Sequence, residues 1–381
     1  MREKELKQLI VEEFLGALQD PRVERTRKHS LETILVLSLL AVISGADSFV
    51  EIERYGKAKQ DWLSSFLDLS GGVPSHDTIG RVFAMLDPSA LGQAFQRWTM
   101  AMAACSQDKL IAIDGKVLRR SFRKAGDHAF VHMVSAWSAD NGVVLGQVKS
   151  NDETNGKSNE VTAIVALLDL INVEGALVSI DAAGTQTAIA DKIIDKSGDY
   201  LLAVKGNQPT RHAALLDYFD DIGDRWADFC ETDEHAHGRH ELRRAWVRHD
   251  VQDIVDAGGR WPKLRSVIHV QSVRTVAEQS STEDRYYVSS RRLSATQALH
   301  AVRSHWGIEN SLHWVLDVAF GEDDCRVRAG NAAENFAATR RLALSLLKQR
   351  TEAKCGIKAR RHMAGWDHSF LLRVIGLSAA D

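Results

Sequence analysis

Cysteine is scarce in this 381-residue chain: Cys105, Cys230, Cys325 and Cys355 stand at least 30 positions apart. That spacing excludes a dense disulfide framework and a zinc site built on a short cysteine pair, and the usage reads as cytosolic. Long apolar runs are missing too. The most apolar stretch, Thr33 to Ala46, carries no charge for 14 residues, whereas a bilayer span needs about 20, so a buried helix is expected and no membrane partner. The opening MREKELKQLIVEE keeps its charges through the place where a signal peptide needs an apolar centre, so no export is expected and a cytoplasmic location follows. Neither internal repeats nor low-complexity tracts occur. A composition of 44% hydrophobic and 26% charged residues excludes disorder, collagen-like repeats and a coiled-coil rod.

A strong excess of one charge is also absent, with a net charge of −3, but the distribution is uneven. Lys116 to Lys124 holds five basic residues and no acid, and Arg340 to Arg361 is net +7, while Asp217 to Glu234 is net −7. Basic segments can meet a polyanion that the acidic one would repel. Each run reads equally well as a solvated helix face.

Residues 1–105 read as a helical domain. Apolar spacing is helical over Arg27 to Ser44, and Val50 to Phe66 follows. Pro74-Ser75 then starts a helix over Asp77 to Met85. Several short helices with basic turns fit a DNA-binding module, though a helical cap on an enzyme would look the same. From Lys109 the order changes to strand, hairpin, helix, strand, helix, strand: LIAI, then FVHMVSAW and VVLGQV around Asp140-Asn141-Gly142, a helix near Ser158 to Ile171, LVSI, a helix over Thr185 to Ile194, and YLLAV. This is an α/β order with a mixed sheet. Residues 208–292 interrupt it and read as an inserted β-rich subdomain. Helical periodicity returns over Ala295 to Phe320, and 351–381 forms a basic C-terminal segment after a catalytic domain placed at 106–350.

Asp114 and Asp181 each end an apolar strand of the buried type, and strand ends are where α/β sites form. Each could instead simply cap a turn. On a helical wheel Glu309 falls within about 20° of Val302, amid the apolar stripe of Ala298, Leu299 and Leu316. A buried carboxylate needs a partner, a proton or a cation. His305 and His313, at i−4 and i+4, could supply the partner. The alternative is that Asp114, Asp181 and Glu309 converge on divalent metal. Three hard oxygen donors suit Mg²⁺ or Mn²⁺ better than zinc, and two such ions about 4 Å apart serve phosphodiester chemistry. Lys116, Arg119 and Arg120 follow Asp114, and Lys205 and Asn207 follow the YLLAV strand, so phosphate contacts would flank the ions. His235, His237 and His240 with Cys230 fit no standard zinc spacing, and a basic turn facing DNA is expected there.

The segments IAIDGKVLRRS, KSNEVTAI, VSIDAAGTQTAIADKII, DYLLAVKGNQP, HGRHELR, RYYVSS and RSHWGIENSLHWVLDVAFGEDDCRVR resemble the blocks of bacterial insertion-sequence DDE transposases of the H-repeat-associated type. PSHDTIGRVFAMLDP resembles their N-terminal region. The resemblance implies an RNase H-like catalytic core with a β-rich insertion, and DNA strand cleavage and transfer at the inverted-repeat ends of a mobile element. It also implies double-stranded DNA as partner, both element ends and target, and a homodimer on paired ends, acting at the nucleoid. Asp114, Asp181 and Glu309 match its three metal-binding acids. Where many relatives carry Tyr, Arg and Lys around the glutamate, this chain has Val302, His305 and Leu316. Arg303, His305, Asn310 and His313 are then the nearby candidates for DNA contact. Trp306 either stacks on a displaced base or belongs to the core. Two other classes stay open: a catalytically silent DNA-binding remnant, and a metal-dependent hydrolase using His305, Glu309 and His313.

Overall fold

The computed structural model describes residues 15–102, 109–119, 131–150, 160–222, 228–236, 238–249, 256, 259–277 and 279–376. The helix expected over the uncharged stretch forms as α1, Leu31–Ile43. Ser30 starts it by accepting the Thr33 N–H at 3.1 Å, as a good N-cap does. Every residue of α1 except Glu32 is buried, the signature of a helix surrounded by protein. At about 1.5–3 kcal/mol for each fully buried large aliphatic side chain, α1 anchors the N-terminal region. Its core is shared by α2 (Phe49–Ala58), α3 (Gln60–Leu63), α4 (His76–Met85) and α5 (Pro88–Met102).

The strands β1 (Leu110–Leu118), β2 (Val131–Ser138), β3 (Val143–Ser150), β4 (Leu177–Ile180), β5 (Asp199–Val204), β6 (Asp228–Ala236), β7 (Arg239–His249), β8 (Ser266–Val276) and β9 (Gln279–Ser289) form one sheet in the order β3-β2-β1-β4-β5-β9-β8-β7-β6. It is mixed: β1 runs parallel to β4 and antiparallel to β2. The β-rich segment therefore continues the sheet, because β9 pairs with β5 from Leu201↔Ser289 to Val204↔Tyr286. The outer half of β9, Gln279 to Asp284, is exposed, so this ribbon projects from the body.

One face of the sheet is covered by α6 (Glu160–Leu170), α7 (Thr187–Asp195) and α8 (Pro209–Ile222), whose Ile164, Leu167, Ile189 and Leu215 pack on Ile111, Ile113, Val178 and Leu202. The other face receives α9, Ala295–Ile308, through Ala298, Leu299 and Val302 on Leu201, Ile268 and Tyr287. Ser294 and Gln297 close a capping box at its start. A π-turn, Glu309–His313, joins α9 to α10, Trp314–Phe320. Across that turn the helix changes cores. Val302 belongs to the sheet-side core, whereas Ile308, Leu312, Leu316 and Phe320 pack with α1 and the buried helix α11, Ala332–Lys348. The chain continues through α12 (Ile357–Trp366) and α13 (His368–Val374). Among the described residues no helix is long and apolar enough to cross a membrane.

Candidate functional site

The parallel register of β1 and β4 ends at Ile113↔Ile180, and the next residue on each strand is an aspartate. Asp114 and Asp181 thus leave neighbouring strands, about 4.8 Å apart, at one level of the sheet. There β4 stops, because Asp181 leads into the tight turn Ala182–Gly184, while β1 runs on beside β2 with Asp114 opposite Ser135. Side-chain alternation places both aspartates on the face of α9. Two contacts tie that helix to the acids: His305 Nδ1 shares a hydrogen bond with Ser179 Oγ at 3.0 Å, and His313 Nδ1 lies 3.5 Å from Asp114 Oδ2. Glu309 sits midway, four residues from each histidine.

The electrostatics mark a crowd of negative charge. Burial, then the charges of Glu160, Glu309 and Asp181, push the Asp114 carboxyl up to about 7 against the opposing Gly115 N–H. Neither histidine relieves it. Burial holds His305 down at about 4; burial and the positive Arg341 and Lys116 hold His313 at about 3, so both are neutral at pH 7. Lys205, its Nζ 3.2 Å from Asp181 Oδ1, brings a cation to that carboxylate. Clustered carboxylates with neutral imidazoles beside them fit a hard divalent cation. The ligand atoms of Asp114, Asp181 and Glu309 do not all lie within 4.8 Å of one another.

Several expectations need correction. Glu309 is exposed, while Ile308 and Leu312 are buried. The core-facing side has rotated away from the stripe through Val302, which leaves the glutamate on a groove with Trp306, Asn310, Arg303 and Arg285. Lys116 does not face a phosphate: its side chain is 10% exposed, and its Nζ bonds Asp317 and Glu322 Oε2, the latter at 3.1 Å. His305 is 5% exposed, held by Ser179 in the core and out of reach of DNA. With His305 turned to Ser179 and His313 to Asp114, the two do not join Glu309 as a histidine-based metal site.

The remaining candidates lie around the acids. Arg119 is largely exposed, with Nε 3.3 Å from Asp323 Oδ2; Arg120 lies outside the described residues. Asn207 donates to the Ala182 carbonyl at 2.6 Å, bracing the turn after Asp181. Arg303 grips Glu234 with contacts of 2.7 and 3.0 Å, and Asn310 is exposed. Trp306 is half-buried under two cations, with Arg285 at 4.0 Å and Lys205 at 5.8 Å from its ring centroid.

Two residues beside the site escaped the sequence reading: Glu160, the first residue of α6, and His132 on β2. The glycine directly after Asp114 was the signal that could have found them. On the outer ribbon, cross-strand pairing sets His235 opposite His240, and both face Asp233, at 3.4 and 2.6 Å. Spacing along the chain concealed that group; His237 lies outside the described residues.

Residues 106–346 match the family model described as "Transposase DDE domain", and residues 12–99 match its companion "DDE_Tnp_1-associated". "Putative transposase YncI" of Escherichia coli O157:H7 is 40% identical over 368 residues, 95% of this chain and 93% of its own length. "H repeat-associated putative transposase YhhI" of Escherichia coli strain K12 is 36% identical over 377 residues, 97% of this chain and 98% of its own. "Putative protein YbfL" of the same strain is 37% identical over 377 residues, again 97% and 98%.

Proposed function

The chain belongs to the family of transposases with a DDE domain, and from that premise we propose that it cuts DNA at the inverted-repeat ends of an insertion sequence and joins them to target DNA. The observation that carries this reading is the adjacent placing of Asp114 and Asp181, each one residue past the last parallel pair of β1 and β4, below a helix pinned on either side of Glu309. A sheet running antiparallel, antiparallel, then parallel into β4 and β5, with helices on both faces, supports an RNase H-like core. In this reading residues 106–350 are the catalytic domain, with residues 1–105 a DNA-binding domain and the ribbon an insertion that reaches along DNA.

Asp114, Asp181 and Glu309 would hold two Mg²⁺ or Mn²⁺ ions. Bound there, the ions supply charge stabilisation to the attacking and leaving oxygens of a phosphodiester. Water cleaves the P–O3′ bond at the element end, and the freed 3′-hydroxyl then attacks a phosphorus of the target, releasing a target 3′-hydroxyl. Lys205, beside Asp181, and exposed Arg119 and Asn310 lie where backbone phosphates pass. Trp306 presents a ring between two cations at the groove, a stacking surface for an unpaired base. Two copies act on two ends, since both must be joined, and the work is done on the chromosome in the cytoplasm.

The test is nicking of duplexes that carry the repeats flanking the gene, in Mg²⁺ and in EDTA. Wild type is expected to nick only with the metal, and Glu309→Gln and Asp181→Asn to lose about a hundredfold or more, the scale of several kcal/mol of charge stabilisation. Nicking by Asp181→Asn at the wild-type rate would falsify the reading.

A further inference from the structure

The outer end of the ribbon carries a group of side chains with no part in the catalytic reading. β6 is the last strand of the sheet and is held only by β7. The two pair as far as the turn, with Ala236↔Arg239 the final pair and His235↔His240 the one before it. Directly opposed side chains on antiparallel strands project to the same face, and here the two imidazoles stack with centroids 4.1 Å apart and planes 3° from parallel. Asp233, two residues before His235, lies on that face as well. Its Oδ1 is the point both rings address, 2.6 Å from His240 Nε2 and 3.4 Å from His235 Nε2.

Alternation sends the neighbouring residues the other way. Glu234, Arg239, Glu241 and Arg243 line the groove that holds Glu309, so the histidines look out from the opposite face, apart from the candidate catalytic acids. The ribbon's guanidinium groups are engaged by other acids: Arg244 by Glu231 at 2.7 Å, Arg239 by Glu241 at 3.1 Å and Arg243 by Glu234 at 3.2 Å. Among the described residues Asp233 has ion-pair contacts with the two imidazoles and with no lysine or arginine. One donor atom from each of Asp233, His235 and His240 lies within 4.8 Å of the other two. Asp233 and His235 are exposed and His240 is half-buried, so an ion can reach all three without unfolding.

We propose that Asp233, His235 and His240 form a binding site for a divalent cation of the zinc class, separate from the site of the catalytic acids. Two ring nitrogens and one carboxylate oxygen suit a borderline ion such as Zn²⁺, whereas Mg²⁺ prefers oxygen donors. Bonds of about 2.0–2.2 Å to zinc are reached by rotation of these side chains. Each ring then carries its single proton on Nδ1 and presents the Nε2 lone pair to the ion. With two ligands on β6 and one on β7, the ion staples an edge strand to its one neighbour beside the turn and stiffens the outer part of the ribbon.

The test is Zn²⁺ uptake by the full chain in competition with a chromogenic chelator, in excess Mg²⁺ so that sites built of oxygen donors are filled, and with no DNA present. Wild type is expected to take up one equivalent, and Asp181→Asn to take it up equally well. His240→Gln and Asp233→Asn are expected to keep their circular dichroism spectra and to lose about tenfold or more in affinity, no less than removing an outer partner of a metal site costs. Amide hydrogen exchange locates the ion: Zn²⁺ should slow exchange over β6 and β7 in wild type and not in His240→Gln. Uptake undiminished in both ribbon substitutions, or lost in Asp181→Asn, would overturn the site. Protection confined to other parts of the chain, or no saturable uptake by wild type, would overturn it too, and none of these results bears on Mg²⁺-dependent nicking.

Discussion

Lys116 and Glu322, 206 residues apart in the chain, meet inside the protein with Nζ 3.1 Å from Oε2. Arg341 closes the group, its Nη1 2.9 Å from Glu322 Oε1, and both these side chains are nearly inaccessible, at 2% and 0%. The network clamps β1 to α10 and α11 just behind Asp114.

Despite burial, Arg341 and Lys116 hold the Glu322 carboxyl at about 2 against an ordinary 4.5. A depressed pKa means that the unfolded chain protonates first as pH falls, so the stabilisation is complete above about pH 4.5 and is lost toward pH 2. Removing one partner of a buried pair strands the others, so Glu322→Gln should lose about 3–5 kcal/mol in urea unfolding at pH 7. The gap from wild type should narrow between pH 4.5 and 2; a gap independent of pH would contradict the ion pairing.

Asp114 has the opposite sign. Its pKa is raised to about 7 from 3.8, so the folded chain binds the extra proton and metal-free stability declines as pH rises from about 4 to 7. A divalent ion needs the carboxylate bare. Mg²⁺ or Mn²⁺ should therefore raise the melting temperature clearly at pH 8 and hardly at pH 5, and EDTA should abolish the increase. Equal increases at both values would argue against ligation by Asp114.

Two lysines that look alike in sequence should separate in DNA binding. Lys205 is about half-exposed next to Asp181, so Lys205→Met should weaken binding to any duplex and lower the salt slope by about one. Lys116→Met should destabilise the fold and leave that slope unchanged, since its Nζ is already engaged by Asp317 and Glu322. A changed slope in Lys116→Met would put its ammonium on DNA after all.

Ser179 Oγ and His305 Nδ1 share a hydrogen bond in the core. Ser179→Ala leaves a buried imidazole nitrogen without that partner and should cost about 1–3 kcal/mol. Because His305 is held at about 4, the loss should be flat from pH 6 to pH 8, as chemical denaturation at several pH values would reveal.

The end of β4 was legible in sequence because Asp181 closes an apolar run that a buried parallel strand tolerates, and the boundaries of β2, β4 and α4 follow from local pattern and caps; Asp114 was expected to end its strand as well, but β1 runs on to Leu118 because β2 continues to pair with it. Glu309 was found by its angle on a wheel, although that angle also implied burial. A wheel assumes one uniform helix, and it cannot register a wider turn or a change of core along the way. Lys116 was misjudged because a basic residue after an aspartate looks like a phosphate ligand, whereas its partners Asp317 and Glu322 are contributed from about 200 residues downstream. The same holds for Glu160 and for the His235–His240 pair, whose meaning comes from what lies across the sheet.

The wide turn at Glu309–His313 has an evolutionary corollary. A π-turn amounts to an α-helix with one residue to spare, so a single codon lost from Asn310 to Leu312 could be taken up by regular helix with both cores still filled. His313 would then stand three positions after Glu309, and its reach to Asp114 would be broken. Silencing of a copy and preservation of its fold are thus separated by three nucleotides.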